Sequence, residues 1–287
     1  MMEKTVSAVP GWLKAACFLA VVLVFAAGCR EPRIIRVADQ QAVKPADLVK
    51  EASEADFIFI GEAHSMRLHH EAQLQVIKAL RGQGADISIG MEMFKTESQD
   101  ALDKWVRGEM SEEDFRAVYK SNWNIPWHLY KDIFLYSREE GIPLVALNIQ
   151  KKIVNQVLKE GFESLTPEDL EKLPPGIECK VDETYENFMR EALDSHGKHG
   201  VDFKNFCEAQ LVWDNAMAHN AIEFMDRNPG MKMVVMAGGG HSWKRGIPAQ
   251  VGRLSAYSSV VLLPDSKTLA VDHVGPEDAD YIITGRF

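Results

Sequence analysis

The stretch Phe57-Ile58-Phe59-Ile60-Gly61-Glu62-Ala63-His64 is four β-favouring apolar residues, a glycine, an acid and then a histidine. The apolar part carries no charge, which is the pattern of a strand buried on both faces. Met231-Lys-Met-Val-Val-Met-Ala237 has the same form and runs into Gly238-Gly239-Gly240-His241. Three more runs resemble them: Asp86-Ile-Ser-Ile-Gly-Met-Glu92, Pro143-Leu-Val-Ala-Leu-Asn148 and Ser259-Val-Val-Leu-Leu263. Between the strands lie helical patterns. Leu68, Ala72, Val76 and Leu80 step by four, and Leu102, Trp105 and Val106 belong to another helix. Ser111 with Asp114, and Thr166 with Asp169, read as helix-opening capping boxes. The stretch from about 182 to 227 is mostly helical and closes at Asn228-Pro229-Gly230. The end, from Ser259 to Phe287, reads as β again, with a turn at Pro264-Asp265-Ser266-Lys267. Strands alternating with helices predict an α/β fold: a mostly parallel central sheet, flanking helices, and a helical insertion or cap around 97–140 and 152–228, or a separate helical subdomain there.

In such sheets ligands bind just beyond the carboxyl ends of the strands, and those ends are polar here. Two strands end in Gly-x-x-His, where the glycine allows a tight turn and the histidine projects over the sheet edge. A third ends at Glu92, within Gly90-Met91-Glu92-Met93-Phe94. His64 and His241 with Glu62 and Glu92 suit a divalent metal that keeps a water in an open position. The plainer reading makes them hydrogen-bonded loop residues. Asp214 falls on the apolar stripe Cys207, Leu211, Ala218, Ala221, Met225 of a long helix, so it either points into the same crevice or pairs with an arginine. His69 and His70 read as cap or surface residues, and His219 as surface. The segment Trp123-Asn-Ile-Pro-Trp-His-Leu-Tyr130 is either a packed cap or an apolar wall for a large flat ligand.

The chain opens with Lys4, Lys14 and a single acid, Glu3, followed by an apolar run from Ala15 to Gly28 and then Cys29. This is the architecture of a secretory signal. The run is short for a transmembrane helix, which needs about 20 apolar residues. Ala26-Ala27-Gly28-Cys29 resembles a bacterial lipobox, in which the cysteine becomes the lipidated N-terminus. The expected organisation is a signal peptide over 1–28, a tether over 29–50 and a single α/β domain over 51–287. The protein then sits in a bacterial cell envelope, held to a membrane by lipid at Cys29 and facing the periplasm or exterior. Its formal charge of −10, from 32 Lys+Arg against 42 Asp+Glu, argues against nucleic acid as a partner. Of the 4 cysteines, Cys179 and Cys207 remain as thiols, either paired or buried singly.

The motifs GEAH with His70 and Gln73 behind it, GMEMF, the W-x3-W-x2-Y segment, LVALN, WDNAMA and GGGHSWKRGIP together resemble the ChaN-type haem-binding lipoproteins of the Tiki/erythromycin-esterase-like superfamily. The resemblance runs from about 55 to 255. It implies haem binding in bacterial iron uptake, with a tyrosine on the iron in a dimeric pocket and histidine and lysine near the propionates. Tyr130 is the best match for that tyrosine, with Tyr119 behind it. Lys131 and Arg245 are the candidate propionate partners, on charge. The superfamily's enzymes imply the alternative, a metal-dependent hydrolase using His64, His241 and Glu92; the residues themselves add Asp214 as a further candidate ligand and Glu62 or Glu92 to move the proton. A Gly-x-Ser-x-Gly nucleophile and a P-loop are both absent from the sequence. The expected cofactor is therefore haem, with a divalent metal as the second candidate, and the expected partners are haem, a membrane and a second copy of the chain.

Overall fold

The two Gly-x-x-His strands lie side by side. In the computed structural model, β3 (Phe57–Glu62) and β6 (Lys232–Gly238) pair in parallel, from Phe57 against Met233 to Glu62 against Gly238. Residues 33–177, 181–195, 200–265 and 274–284 are described, and they belong to one compact unit. The other strands are β1 (Arg33–Arg36), β2 (Gln41–Val43), β4 (Ile87–Lys95), β5 (Leu144–Asn148), β7 (Ser259–Pro264) and β8 (Tyr281–Thr284). The sheet order is β2-β1-β8-β7-β3-β6-β4-β5. From β8 to β5 all neighbours are parallel; β1 is antiparallel to both β2 and β8.

The helices are α1 (Pro45–Ala52), α2 (Arg67–Gly82), α3 (Gln99–Val106), α4 (Glu112–Asn122), α5 (Trp127–Glu139), α6 (Lys151–Glu160), α7 (Pro167–Leu170), α8 (Glu183–Ser195), α9 (Phe203–Arg227), α10 (Gly239–Ser242) and α11 (Ile247–Leu254). Ser111 and Thr166 cap α4 and α7 by accepting the amide protons of Asp114 and Asp169. Strand alternation divides the core in two. Ile58, Ile60, Val234 and Met236 pack with α1–α5 on one face. Phe57, Phe59, Met233, Val235 and Ala237 pack with α6, α9 and α11 on the other. The helical stretches expected as an insertion or cap are therefore mainly the two outer layers of a three-layer fold. Among the described residues no helix is long and apolar enough to cross a membrane.

The expected tether over 29–50 is corrected from Arg33 onward: it supplies β1, β2 and the start of α1. These residues join the sheet because β1 completes the hydrogen-bonding edge of β8, Ile34 against Ile283, and Ile34 is buried. The carboxyl-terminal end is β as expected, with β7 and β8 parallel. Residues 266–273 lie outside the described residues, as do the signal segment and Cys29.

After β3 the chain turns through α2, packed on one face. After β6 it turns through α11, packed on the other. The ends of β3 and β6 thus flank a topological switch point, where a crevice opens. Phe59 sits at the centre of this frame, fully buried and stacked on Phe57 with centroids 5.9 Å apart. Phe59→Ala should lower unfolding free energy by about 3–5 kcal/mol, measured by urea denaturation.

Candidate functional site

The crevice has a volume of about 600 Å³. Its floor is built from the strand ends: Glu62 ending β3 and His64 after it, Glu92 on β4, Asn148 ending β5, Gly238 ending β6, and Gly239 to His241 of α10. Its walls are Trp123 from the α4–α5 loop, Tyr185, Phe188 and Met189 from α8, and Phe206 and Trp213 from α9, with Lys151 at the start of α6.

Glu62 is the hub of the floor. It is 3% exposed, yet four side chains meet its carboxylate. His64 Nδ1 lies 2.8 Å from Oε1, and the Tyr130 hydroxyl donates to the same oxygen. Gln73 Nε2 donates to Oε2 at 2.8 Å, and His70 Nδ1 is 3.2 Å away from it. His70 Nε2 donates to the His64 carbonyl at 3.0 Å. Both ring nitrogens of His70 face acceptors: Nε2 the His64 carbonyl, and Nδ1 both Gln73 Oε1 at 3.1 Å and Glu62 Oε2, a setting that favours the protonated ring. Burial alone raises the pKa of Glu62, but the hydrogen bonds of His64 and His70 prevail and hold it at about 2. His64 and His70 are pushed up in return, against burial, chiefly by their bonds to Glu62.

A second pair stands across the floor. His241 Nδ1 lies 2.6 Å from Asp214 Oδ1, and Tyr185 donates to Asp214 Oδ2 at 3.1 Å. Burial opposes charge on His241, but Asp214 and Glu92 outweigh it and push its pKa up to about 9. Burial pushes the Asp214 carboxyl upward against the pull of His241. Both shifts mean that the pair holds a proton tightly. Glu92 Oε2 accepts the Gly238 amide at 2.7 Å, and Oε1 lies 3.8 Å from His241 Nε2. A bulge aims Glu92 into the crevice: Met91 pairs with Ala146 but Lys95 with Asn148. Glycine at 238 lets the His64 ring pack close to the strand end: a Cβ there would sit 3.1 Å from its Cε1 and 3.2 Å from its Nε2.

His64, His241, Glu62, Glu92 and Asp214 therefore do converge. Among the described residues no group of three or more His, Cys, Asp or Glu side chains is arranged to hold a metal ion. Most of the carboxylate oxygens are already taken by imidazole, amide or phenol donors. Asp214 pairs with a histidine, not with an arginine. His70 is buried at 2% exposure, not a surface residue.

The tyrosines and cations expected for haem lie elsewhere. Tyr130 is fully buried with its hydroxyl on Glu62, and Tyr119 donates to the Ile125 carbonyl at 2.8 Å. Both belong to an aromatic cluster with Trp127 and Phe134, so neither phenol oxygen is open to iron. Lys131 lines a separate groove and pairs with Glu112 at 3.1 Å. Arg245 is held by Asp182 at 2.8 Å and by Asp278. Lys151, Trp213 and Phe188 had no signal in the sequence: a lone lysine opening a helix and aromatic residues on helices look ordinary. Cys207 is buried and disulfide-bonded; Cys179 lies outside the described residues.

These shifts have a definite pH signature. The His241–Asp214 pair contributes its full stability below the unfolded histidine value of 6.5 and loses it as pH rises through about 9. Glu62 contributes above its usual 4.5 and loses this as pH falls through about 2. Urea-unfolding free energy should fall by about 1–3 kcal/mol between pH 6.5 and 9.5, and Asp214→Asn should flatten that slope.

Comparison with known proteins agrees with this architecture. A ChaN of Campylobacter jejuni, solved with cofacial haem binding, superposes with a TM-score of 0.71 at 19% identity, over 90% of this chain and 98% of its own. An erythromycin esterase in its open conformation superposes at 0.50 and 12% identity, over 82% and 77%. These likenesses show the shared fold. Among curated proteins, the chloroplastic Protein RETICULATA-RELATED 5 of Arabidopsis thaliana is 23% identical over 74% of this chain. The match spans only 31% of that relative's length. The family model described as "Haem-binding uptake, Tiki superfamily, ChaN" matches residues 48–251, and the chain belongs to that family.

Proposed function

We propose that this chain binds haem in the crevice at the ends of β3, β4 and β6, as a lipid-anchored protein of a bacterial envelope engaged in iron or haem uptake. The observation that carries the proposal is the crevice itself. Its volume of about 600 Å³ is within the range of small-molecule and cofactor sites, roughly 300–1,000 Å³. Trp123, Phe188, Phe206 and Trp213 supply flat apolar walls, which suit the faces of a porphyrin. When bound, haem brings an iron that takes an axial ligand and two propionates that need cations.

The electrostatics favour one orientation. The floor contains Glu62, Glu92 and Asp214 against the imidazoles of His64, His70 and His241, so it has no surplus positive charge for a propionate. Lys151 lies at the crevice, and among the described residues no carboxylate pairs with it. Lys151 would therefore be the residue to hold a propionate. The cofacial haem binding of the Campylobacter jejuni ChaN supports a pair of chains apposed at the crevice mouth. Metal-dependent hydrolysis is the weaker reading, because most carboxylate oxygens of the cluster are engaged by protein donors.

Adding haemin to the purified chain should give a saturable Soret change, and Lys151→Glu should weaken binding by about ten-fold, near 1.4 kcal/mol. A titration without saturation, or one indifferent to Lys151, would count against the proposal. The envelope anchor is tested separately. Cys29→Ser should move the protein from the membrane pellet to the soluble fraction, since no other lipid site is proposed.

A further inference from the structure

Arg245 spans two carboxylates that belong to different parts of the chain. Its Nε donates to Asp182 Oδ2 at 2.8 Å, at the entrance of α8. Its Nη1 donates to Asp278 and, at 3.3 Å, to the Glu277 carbonyl, in the segment before β8. We propose that this bridge makes Arg245 a positioning residue: it holds α8 as the closed wall of the crevice and so sets how long a ligand stays there. Neither Arg245 nor Asp182 is among the residues that line the crevice, so the effect passes through α8. The ligand half of the proposal rests on the haem reading above.

One end of the bridge is fixed. Asp278 is buried, and it accepts the Trp243 indole at 3.0 Å and the Gly275 amide at 2.8 Å. The Arg245 side chain is only 15% exposed and lies 5.1 Å from the centre of the Trp243 ring. A guanidinium that already faces two carboxylates has no charge left over for a propionate.

The other end is the wall. Asp182 Oδ1 accepts the Tyr185 amide at 2.8 Å while Oδ2 takes Arg245, so one side chain both starts α8 and docks it. From that turn α8 presents Tyr185, Phe188 and Met189 to the crevice. Phe188 and Tyr185 meet Trp243 edge-on at 4.9 and 5.6 Å. A Cβ on Gly240 would lie 2.9 Å from the Phe188 ring, so the helix is seated closely. The stretch that carries His241 is therefore also the seat of the wall, through Gly240, Trp243 and Arg245. Loosening α8 uncovers the face of a ligand packed on Phe188, which speeds its departure more than it slows its arrival.

The test is stopped-flow transfer of haemin from the full chain to excess apomyoglobin, with amide hydrogen exchange of the ligand-free chain beside it. Asp182→Asn keeps the helix cap and removes the charge. Arg245→Lys keeps the charge and removes the fork that spans two carboxylates. Each should speed haemin loss by about two- to five-fold and leave the Soret maximum in place. Each should also speed exchange across 183–195 while 67–82 stays unchanged, and the double variant should be no worse than the more affected single one. Normal haemin loss in Asp182→Asn would overturn the inference. So would normal loss in Arg245→Lys, which is the outcome that charge contact with a propionate predicts, or faster loss with no change in α8 exchange. A chain that shows no saturable Soret change would overturn the haem reading; the exchange of α8 in the two variants would still decide whether Arg245 holds the wall.

Discussion

A carboxylate buried at the end of a central strand is the constraint around which this molecule is arranged. Glu62 follows four fully buried apolar residues, and a charge in that position is costly unless it is paired and hydrogen-bonded. The fold meets that need with groups from three elements: His64 from the loop after β3, His70 and Gln73 from α2, and Tyr130 from α5. Gln73 also donates to the Ile60 carbonyl at 3.1 Å, tying α2 to the strand. Removing any one donor leaves part of a buried charge unsatisfied, so α2, α5 and the crevice floor stand or fall together.

The same arrangement recurs across the floor with a different backbone. Asp214 comes from the middle of α9, yet it holds His241 as Glu62 holds His64, through Nδ1. In both pairs the carboxylate is buried and the imidazole reaches the crevice. That is how a protein orients a histidine whose Nε2 is to be used. The two pairs stand on opposite faces of the sheet, because α2 and α9 lie on opposite faces. The crevice between them follows from the strand order alone.

Much of this was legible in the sequence. The five parallel strands from β3 to β7 announce themselves as short apolar runs with few internal charges, the pattern of burial on both faces. The convergence of His64, His241, Glu62 and Glu92 followed from their places at strand ends. Asp214 was visible because an acid on an apolar stripe needs a partner. What the sequence concealed depends on distant pairing. Strands β1 and β2 are three or four residues long and polar at several positions, and β1 becomes a strand only against β8, some 250 residues later. His70 looks like a residue opening a helix until Glu62 is placed beside it. Tyr130 looked open because aromatic residues around a proline suit a wall or a core equally well. The tertiary contact with Glu62 chose the core.

The choice between a bare metal ion and haem turns on how many protein atoms each demands. A divalent ion held by protein needs at least three converging ligand atoms. The crevice has the right residue types but not the free atoms: Asp214 is bonded through both oxygens, Glu62 receives four donors, and Glu92 gives one oxygen to Gly238. Porphyrin supplies its own equatorial nitrogens and asks the protein for one axial atom, apolar walls and a cation at its edge. A site whose carboxylates are mostly engaged and whose walls are aromatic suits that smaller demand. The buried acids that first suggested a metal cluster are better understood as the supports that keep an imidazole in place.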